Sequence, residues 1–373
     1  MDLPSWLKPE ILWLVGWLGT NISSAILNKA AFQFAHFKYP LALSFIHMVC
    51  QSLFTFFFVR LGQRVPHQQL SRKEYLRIVM YAQFFALNIV IGNACLKYAS
   101  VSFVRVTRST VPIVAMFFTY FLQGKSYPLR VKLSLVPILI GATIATYGEL
   151  EVGLSQLGLI FCVLACIFAA LKAVLSNKYL TGNLSLHPLD LLDRTAPLAA
   201  LSMLPFVFLA GEHKEVMTTW MDHATPNNVM IVFSTAVAAL ALNYTSFRLN
   251  AVTSAVALTV ASNAKESLTI VLSFIIFQNK VTATGAIGTL MVLLSSIIYS
   301  REAARAKALG TLRDTPKVRT VTPSGQQPIS PISLKQMANP DLQHKASDPI
   351  SLKAALYPDP PPPNGGDGRQ LDP

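Results

Sequence analysis

The chain has 373 residues, of which 52% are hydrophobic and only 13% charged. Soluble domains carry about 25% charged residues, so this composition excludes an ordinary soluble enzyme. The net charge of +13 would suit a nucleic-acid binder, but the cations are parcelled into alternate short loops rather than gathered in one patch, which excludes that reading.

Ten apolar stretches are predicted at 11–34, 41–60, 75–96, 100–123, 132–148, 154–176, 189–210, 228–248, 251–277 and 281–300. A helix of about 20 residues crosses the hydrocarbon core, so an all-α integral membrane protein with ten transmembrane helices is expected. The first stretch is expected to act as its own targeting anchor, and it carries a polar stripe of Asn21, Ser24 and Asn28 with Lys29 beside it. The third contributes Tyr81, Asn88 and Asn93. The fourth places Arg105 and Arg108 three apart on one helix face, deeper than the usual snorkelling position. Pro112 and Pro137 are expected to shape their helices rather than touch a ligand.

All four cysteines (Cys50, Cys95, Cys162 and Cys166) fall inside predicted spans. Cys162 and Cys166 share a helix face without His or acidic ligands nearby. They read as small packing groups, and no metal is expected. Lys172 follows near the end of the sixth span, and Asn243 and Tyr244 lie in the eighth. The ninth holds Lys265 and Glu266 near its centre. An uncompensated charge there costs roughly 2.5–3.5 kcal/mol on insertion scales, so it marks a polar pathway. Ser254, Ser262, Lys265 and Thr269 fall on one face. Lys265 and Glu266 are neighbours pointing about 100° apart, so Glu266 is expected to pair with a cation on another helix.

Each candidate has a plainer reading. Lys29 and Lys172 can snorkel to an interface, Arg105 can snorkel or pair with Glu266, and Asn243 and Tyr244 can bond between helices.

Arg60, Arg64, Arg72, Lys73 and Arg77 follow the second span, and Lys125, Arg130 and Lys132 follow the fourth. Glu149, Glu151, Glu212, Glu215 and Asp222 occupy the intervening loops. This positive-inside pattern puts both termini in the cytosol. Three Asn-x-Ser/Thr matches, at Asn21, Asn183 and Asn243, read as chance. Residues 301–373, rich in Pro, Gln and Ser, are expected to form a disordered cytosolic tail.

The halves echo each other. Lys97, Val101 and Ser102 before the fourth span match Arg248, Val252 and Thr253 before the ninth. Phe121 and Lys125 close the fourth as Phe277 and Lys280 close the ninth, and each following span has a central glycine, Gly141 or Gly288. Five spans per half would make the repeats, about 10–150 and 151–300, enter the membrane in opposite senses. That is an architecture of secondary transporters, with the substrate site near the midplane.

Lys29, Arg105, Arg108, Lys172 and Lys265 outnumber Glu266 inside the spans, so the ligand is expected to be an anion, and Arg and Lys suit phosphate. No P-loop, nucleophile elbow or metalloprotease motif is present. Energy is expected from a gradient or from exchange, with no catalysis and no cofactor.

The segment from Val101 to Pro112 resembles the fourth-helix motif of the triose-phosphate translocator and nucleotide-sugar transporter group within the drug/metabolite transporter superfamily. Asn263-Ala264-Lys265-Glu266 resembles its ninth-helix signature. The likeness spans about residues 10–300. It implies ten helices in two inverted five-helix repeats of the drug/metabolite transporter fold, a central cavity and exchange of a phosphorylated solute. By that likeness Arg108 and Lys265 match phosphate-binding positions, and Asn243 and Tyr244 lie where nucleotide-sugar transporters place a recognition motif.

There are departures. Plastid translocators follow the ninth-helix lysine with a second basic residue, where this chain has Glu266. A carboxylate would repel a compact dianion, which favours a larger ligand whose hydroxyls use an acceptor. The GDP-mannose signature Gly-Ala-Leu-Asn-Lys is replaced by Ala261-Ser262-Asn263-Ala264-Lys265. No plastid transit peptide is visible.

The expected function is therefore a secondary antiporter exchanging a nucleotide-sugar for a nucleoside monophosphate across a Golgi or ER membrane. The substrate-binding residues would be Lys265, Arg108, Glu266, Arg105, Asn243, Tyr244, Ser262, Lys29 and Asn88. A sugar-phosphate/phosphate antiporter and a non-transporting membrane scaffold or trafficking protein stay open as alternatives. The expected partners are a phosphorylated small molecule and the lipid bilayer, with a homodimer allowed and no nucleic acid.

Overall fold

The structure, a computed structural model, describes residues 9–63, 65–99, 101–147, 156–277 and 283–309, and the regular structure among them is helical. Helix α1 (Pro9–Gln33) is followed by α2 (Pro40–Thr55), which a π-helical turn extends to Leu61, and by α3 (Arg72–Tyr98). Short helices α4 (Val101–Ser109), α5 (Val111–Gln123), α6 (Leu129–Leu133) and α7 (Val136–Tyr147) come next. The second half holds α8 (Gln156–Thr181), α9 (Pro188–Leu209), the single turn α10 (Glu212–Glu215), α11 (Pro226–Val252), α12 (Ala255–Phe277) and α13 (Ala283–Ala308).

Among the described residues, seven helices are long and apolar enough to cross a membrane: α1, α2 with its π turn, α3, α8, α9, α11 and α13. Large apolar side chains such as Ile26, Phe57, Leu201 and Leu290 are exposed on them, as a protein solvated by lipid requires. The fourth and fifth expected spans are each broken near a proline. Pro112 has no N–H to donate, and its ring crowds the carbonyl four residues earlier. The chain therefore turns at Thr110, where Ile113 N and Val114 N both donate to Thr110 O, at 3.0 and 3.2 Å. Pro137 stands in the first turn of α7 in the same way.

Helix α13 continues to Ala308, eight residues beyond the expected end at 300, so the first part of the expected tail is helical. The rest of that tail from 310, the acids Glu149 and Glu151, Arg64 and Lys280 lie outside the described residues, as do the side chains of Ser102 and Thr269.

Packing runs mainly between the halves. Helix α1 lies on α11 and α3 on α8; α2 packs on α9 and α11, α3 also on α9, α5 on α12, and α7 on α13. Lipid supplies no hydrophobic drive between helices, so such seams depend on close approach and hydrogen bonds. At the α7–α13 crossing, a Cβ on Gly141 would stand 2.9 Å from the Gly288 carbonyl and 3.0 Å from Met291 Cβ. The α1–α11 seam is stitched by Trp17 Nε1 donating to Ser246 Oγ at 2.9 Å and by the Thr20 and Thr245 hydroxyls, also 2.9 Å apart. His47 and Thr235 make a 2.9 Å hydrogen bond between α2 and α11.

Candidate functional site

Helices α3, α4, α8, α11 and α12, with Trp17 of α1 and Val111 of α5, line a cavity of about 280 Å³. Three cations line it, Arg108 from α4, Lys172 from α8 and Lys265 from α12, against one carboxylate, Glu266. The lining thus carries a formal charge of +2. Arg108 and Lys172 have no carboxylate partner among the described residues. Asn88, Ser176, Ser246 and Ser262 add neutral polar groups, and Trp17 and Phe247 add aromatic surface.

The break in the fourth span places Arg108 at the C-terminal end of α4, where the helix dipole favours a cation. Its guanidinium fits beside Gly92 of α3, where even a methyl group would sit 3.4 Å from Nη2. The Ser109 carbonyl accepts a hydrogen bond from Asn263 Nδ2 at 3.1 Å. Asn263 is buried two residues before Lys265, so a single bond ties the backbone carrying Arg108 to the helix carrying Lys265. Lys172 Nζ lies 4.0 Å from the centroid of the Phe85 ring, a cation–π contact that holds it inside.

One expectation is corrected here. Glu266 does not reach a cation on another helix; its Oε1 lies 2.9 Å from Lys265 Nζ. Adjacent Cβ directions diverge, but both long side chains bend toward the same opening, with the Lys265 side chain 25% and that of Glu266 43% exposed. The carboxylate is thus part of the cavity wall.

The other expected residues divide. Asn88 and Ser262 line the cavity with Arg108, Lys265 and Glu266. Arg105 is half-buried on α4 and is not among the lining residues. Asn243 donates to Gln51 Oε1 at 2.9 Å and Tyr244 packs edge-on against Trp13 at 5.8 Å, so both serve helix contacts. Lys29 is exposed on α1, away from the cavity. The sequence leaves Lys172 open between snorkelling to an interface and lining the pathway. The helix runs to Thr181, which leaves Lys172 well inside. Gly92 carries no signal without the partner it meets in space, and Asn263 stands in the ninth-helix signature without showing that it bonds to Ser109.

Other clusters are less suited to an anion. A larger void of about 420 Å³ beside α1, α12 and α13 is mostly apolar, and its one charged lining residue is Glu10. Ligand-type atoms of His67, Asp190 and Asp193 lie within 4.8 Å of one another, but Arg60 pairs with Asp193 at 2.9 Å and Arg194 with Asp190 at 3.1 Å. Cys162 meets Cys95 of α3, with the sulfurs 2.7 Å apart, and Cys166 donates to Thr107 O at 3.1 Å.

Residues 10–300 match the model of the Triose-phosphate Transporter family. A probable sugar phosphate/phosphate translocator of Arabidopsis thaliana is 31% identical over 74% of this chain and 76% of its own length. UDP-galactose transporter 1 of the same plant is 28% identical, covering 75% and 81%. A solved structure titled only "Crystal structure of protein" superposes with a TM-score of 0.58 at 12% identity, over 77% of this chain and 98% of its own, and so shares the fold.

Proposed function

The chain belongs to the Triose-phosphate Transporter family, and on that premise we propose that it is a secondary antiporter exchanging a nucleotide-sugar for a nucleoside monophosphate across a Golgi or ER membrane. Membership in a family of multi-pass transporters rather than enzymes accounts for the apolar helices and the central cavity. The observation that carries the substrate class is the +2 cavity with Glu266 inside it. Arg108, Lys172 and Lys265 neutralise phosphates, while the Glu266 carboxylate accepts hydrogen bonds from sugar hydroxyls. Asn88, Ser176 and Ser262 supply further polar contacts. The relative named UDP-galactose transporter 1 supports the same class.

A second reading, exchange of a small sugar phosphate against inorganic phosphate, is favoured by the cavity volume of about 280 Å³ and by the relative named a sugar phosphate/phosphate translocator.

Ten spans in two inverted repeats, about 10–150 and 151–300, complete the proposal. The paired seams support it: α1 on α11 and α8 on α3 are equivalent contacts under exchange of the halves. Gly141 and Gly288, equivalent by sequence, face each other where the two-fold axis of such repeats would pass. The basic loops support a cytosolic placement of both termini.

The deciding experiment is counterflow in proteoliposomes preloaded in parallel with each nucleoside monophosphate, inorganic phosphate and triose phosphate. Labelled nucleotide-sugar uptake driven by one monophosphate is expected. Uptake driven only by phosphate or a sugar phosphate selects the second reading. No exchange with any of them moves the chain to a non-transporting role.

A further inference from the structure

A second basic pocket lies apart from the central cavity, between the ends of α3, α5 and α8, and has a volume of about 230 Å³. Its charged lining consists of Arg77 at the start of α3, Lys125 just after α5, Lys178 near the end of α8, and Glu74. That is three cations against one carboxylate. Glu74 is turned to other work: its Oε2 accepts from Ser71 N at 2.9 Å and from Ser71 Oγ at 2.7 Å, closing the capping box of α3.

The walls are fixed. Lys178 Nζ donates to Leu122 O at 2.9 Å, Gln123 Nε2 to Val174 O at 2.8 Å, and the Tyr179 hydroxyl to Arg77 O at 3.2 Å, so the three helix ends are pinned together. At Gly182 a Cβ would come within 2.4 Å of the Lys178 carbonyl, so the floor tolerates only glycine. Apolar side chains close in the chain to the lining residues of α3 and α5 are exposed: Leu76 is 62% exposed, Met80 53% and Phe121 64%. A formal +2 in a small recess, on helices that also expose apolar side chains, matches a phosphomonoester, which carries about −1.5 to −2 at neutral pH. Basic pockets between helix ends at a membrane surface take phospholipid head groups by this chemistry.

We propose that Arg77, Lys125 and Lys178 form a phosphomonoester-binding site at the membrane interface, separate from the central cavity. Two sources share this chemistry, an anionic phospholipid head group and a free phosphorylated solute, and the exposed Leu76, Met80 and Phe121 favour the lipid.

The test uses the full chain purified in detergent and native mass spectrometry with phosphatidylinositol 4-phosphate, phosphatidylcholine serving as the neutral reference. Preferential retention of the phosphoinositide is expected, falling at least fivefold in Arg77→Gln/Lys125→Gln. It should persist in Lys265→Ala and in Arg72→Gln/Lys73→Gln, which removes the same charge from the exposed first turn of α3. Displacement of the lipid by water-soluble inositol phosphate, with binding of that solute lost in the pocket variant, would assign the site to solutes. An equal loss in the Arg72/Lys73 variant, loss in Lys265→Ala, or no preference over phosphatidylcholine overturns the proposal. If the double variant does not purify as a folded protein, Lys125→Glu alone is measured by the same assay against the same criteria.

Discussion

Lys265 meets its anion in competition with Glu266, whose carboxylate is 2.9 Å away. Lys265→Ala would therefore remove one cation and leave an uncompensated acid facing the ligand. Exchange should fall to background while expression and localisation stay normal; preserved exchange in liposomes would remove Lys265 from the site. Glu266→Gln acts in the opposite sense. An ion pair this exposed is worth about 0.2–1 kcal/mol, so releasing Lys265 should tighten monophosphate binding by about 1.4- to fivefold. The same change should weaken discrimination between sugars, and titration calorimetry with a sugar panel reads both effects. Asn263→Leu would remove the side-chain hydrogen bond to the Ser109 carbonyl. A loss of about 1 kcal/mol in unfolding stability is expected, with a larger loss of transport because Arg108 is no longer tied to α12. Equal losses in the two readouts would mean that the bond is structural only.

Helix contacts carry their own predictions. Gly141→Leu places side-chain atoms against the Gly288 backbone, which cannot move aside as a side chain tip would. A cost of about 1–3 kcal/mol is expected, seen as a lower midpoint in detergent thermal unfolding. Gly16→Ala on α1, where nothing lies within 4 Å, should be neutral or slightly stabilising in the same assay. At this scale the sequence was informative where a signal is local. Apolar length marked the helices, Pro112 and Pro137 marked the breaks, and the isolated charges of α12 marked the cavity. It was uninformative where a role depends on a neighbour distant in the chain. Lys172 cannot be separated from a snorkelling cation until Phe85 is found beside it, nor Asn243 from a ligand contact until Gln51 is. The Lys265–Glu266 pair was missed because Cβ directions were used for side chains long enough to bend around them.

For the whole molecule, the cavity and the helix seams form one system. Seven helices from both halves line the cavity, so a ligand that bridges them should stabilise the entire fold. A nucleoside monophosphate at a hundredfold its Kd should add about 2.7 kcal/mol, provided it binds only the folded state. Differential scanning fluorimetry across the monophosphates would show this as a rise in Tm for the exchanged base and no rise in Lys265→Ala. A uniform rise with every anion would point instead to nonspecific charge.

The pairing of early helices with late ones also has a consequence for how the protein is made. Helix α1 finds its main neighbour in α11, and roughly 190 residues separate the end of one from the start of the other, so at about 5–20 residues per second the ribosome needs roughly 10–40 s to supply it. Throughout that interval α1 sits in the membrane with Trp17 and Thr20 lacking the Ser246 and Thr245 hydroxyls they later meet. The first half is thus an unfinished client of the insertion machinery, and its lifetime in that state is set by translation speed rather than by the strength of any contact it will eventually make.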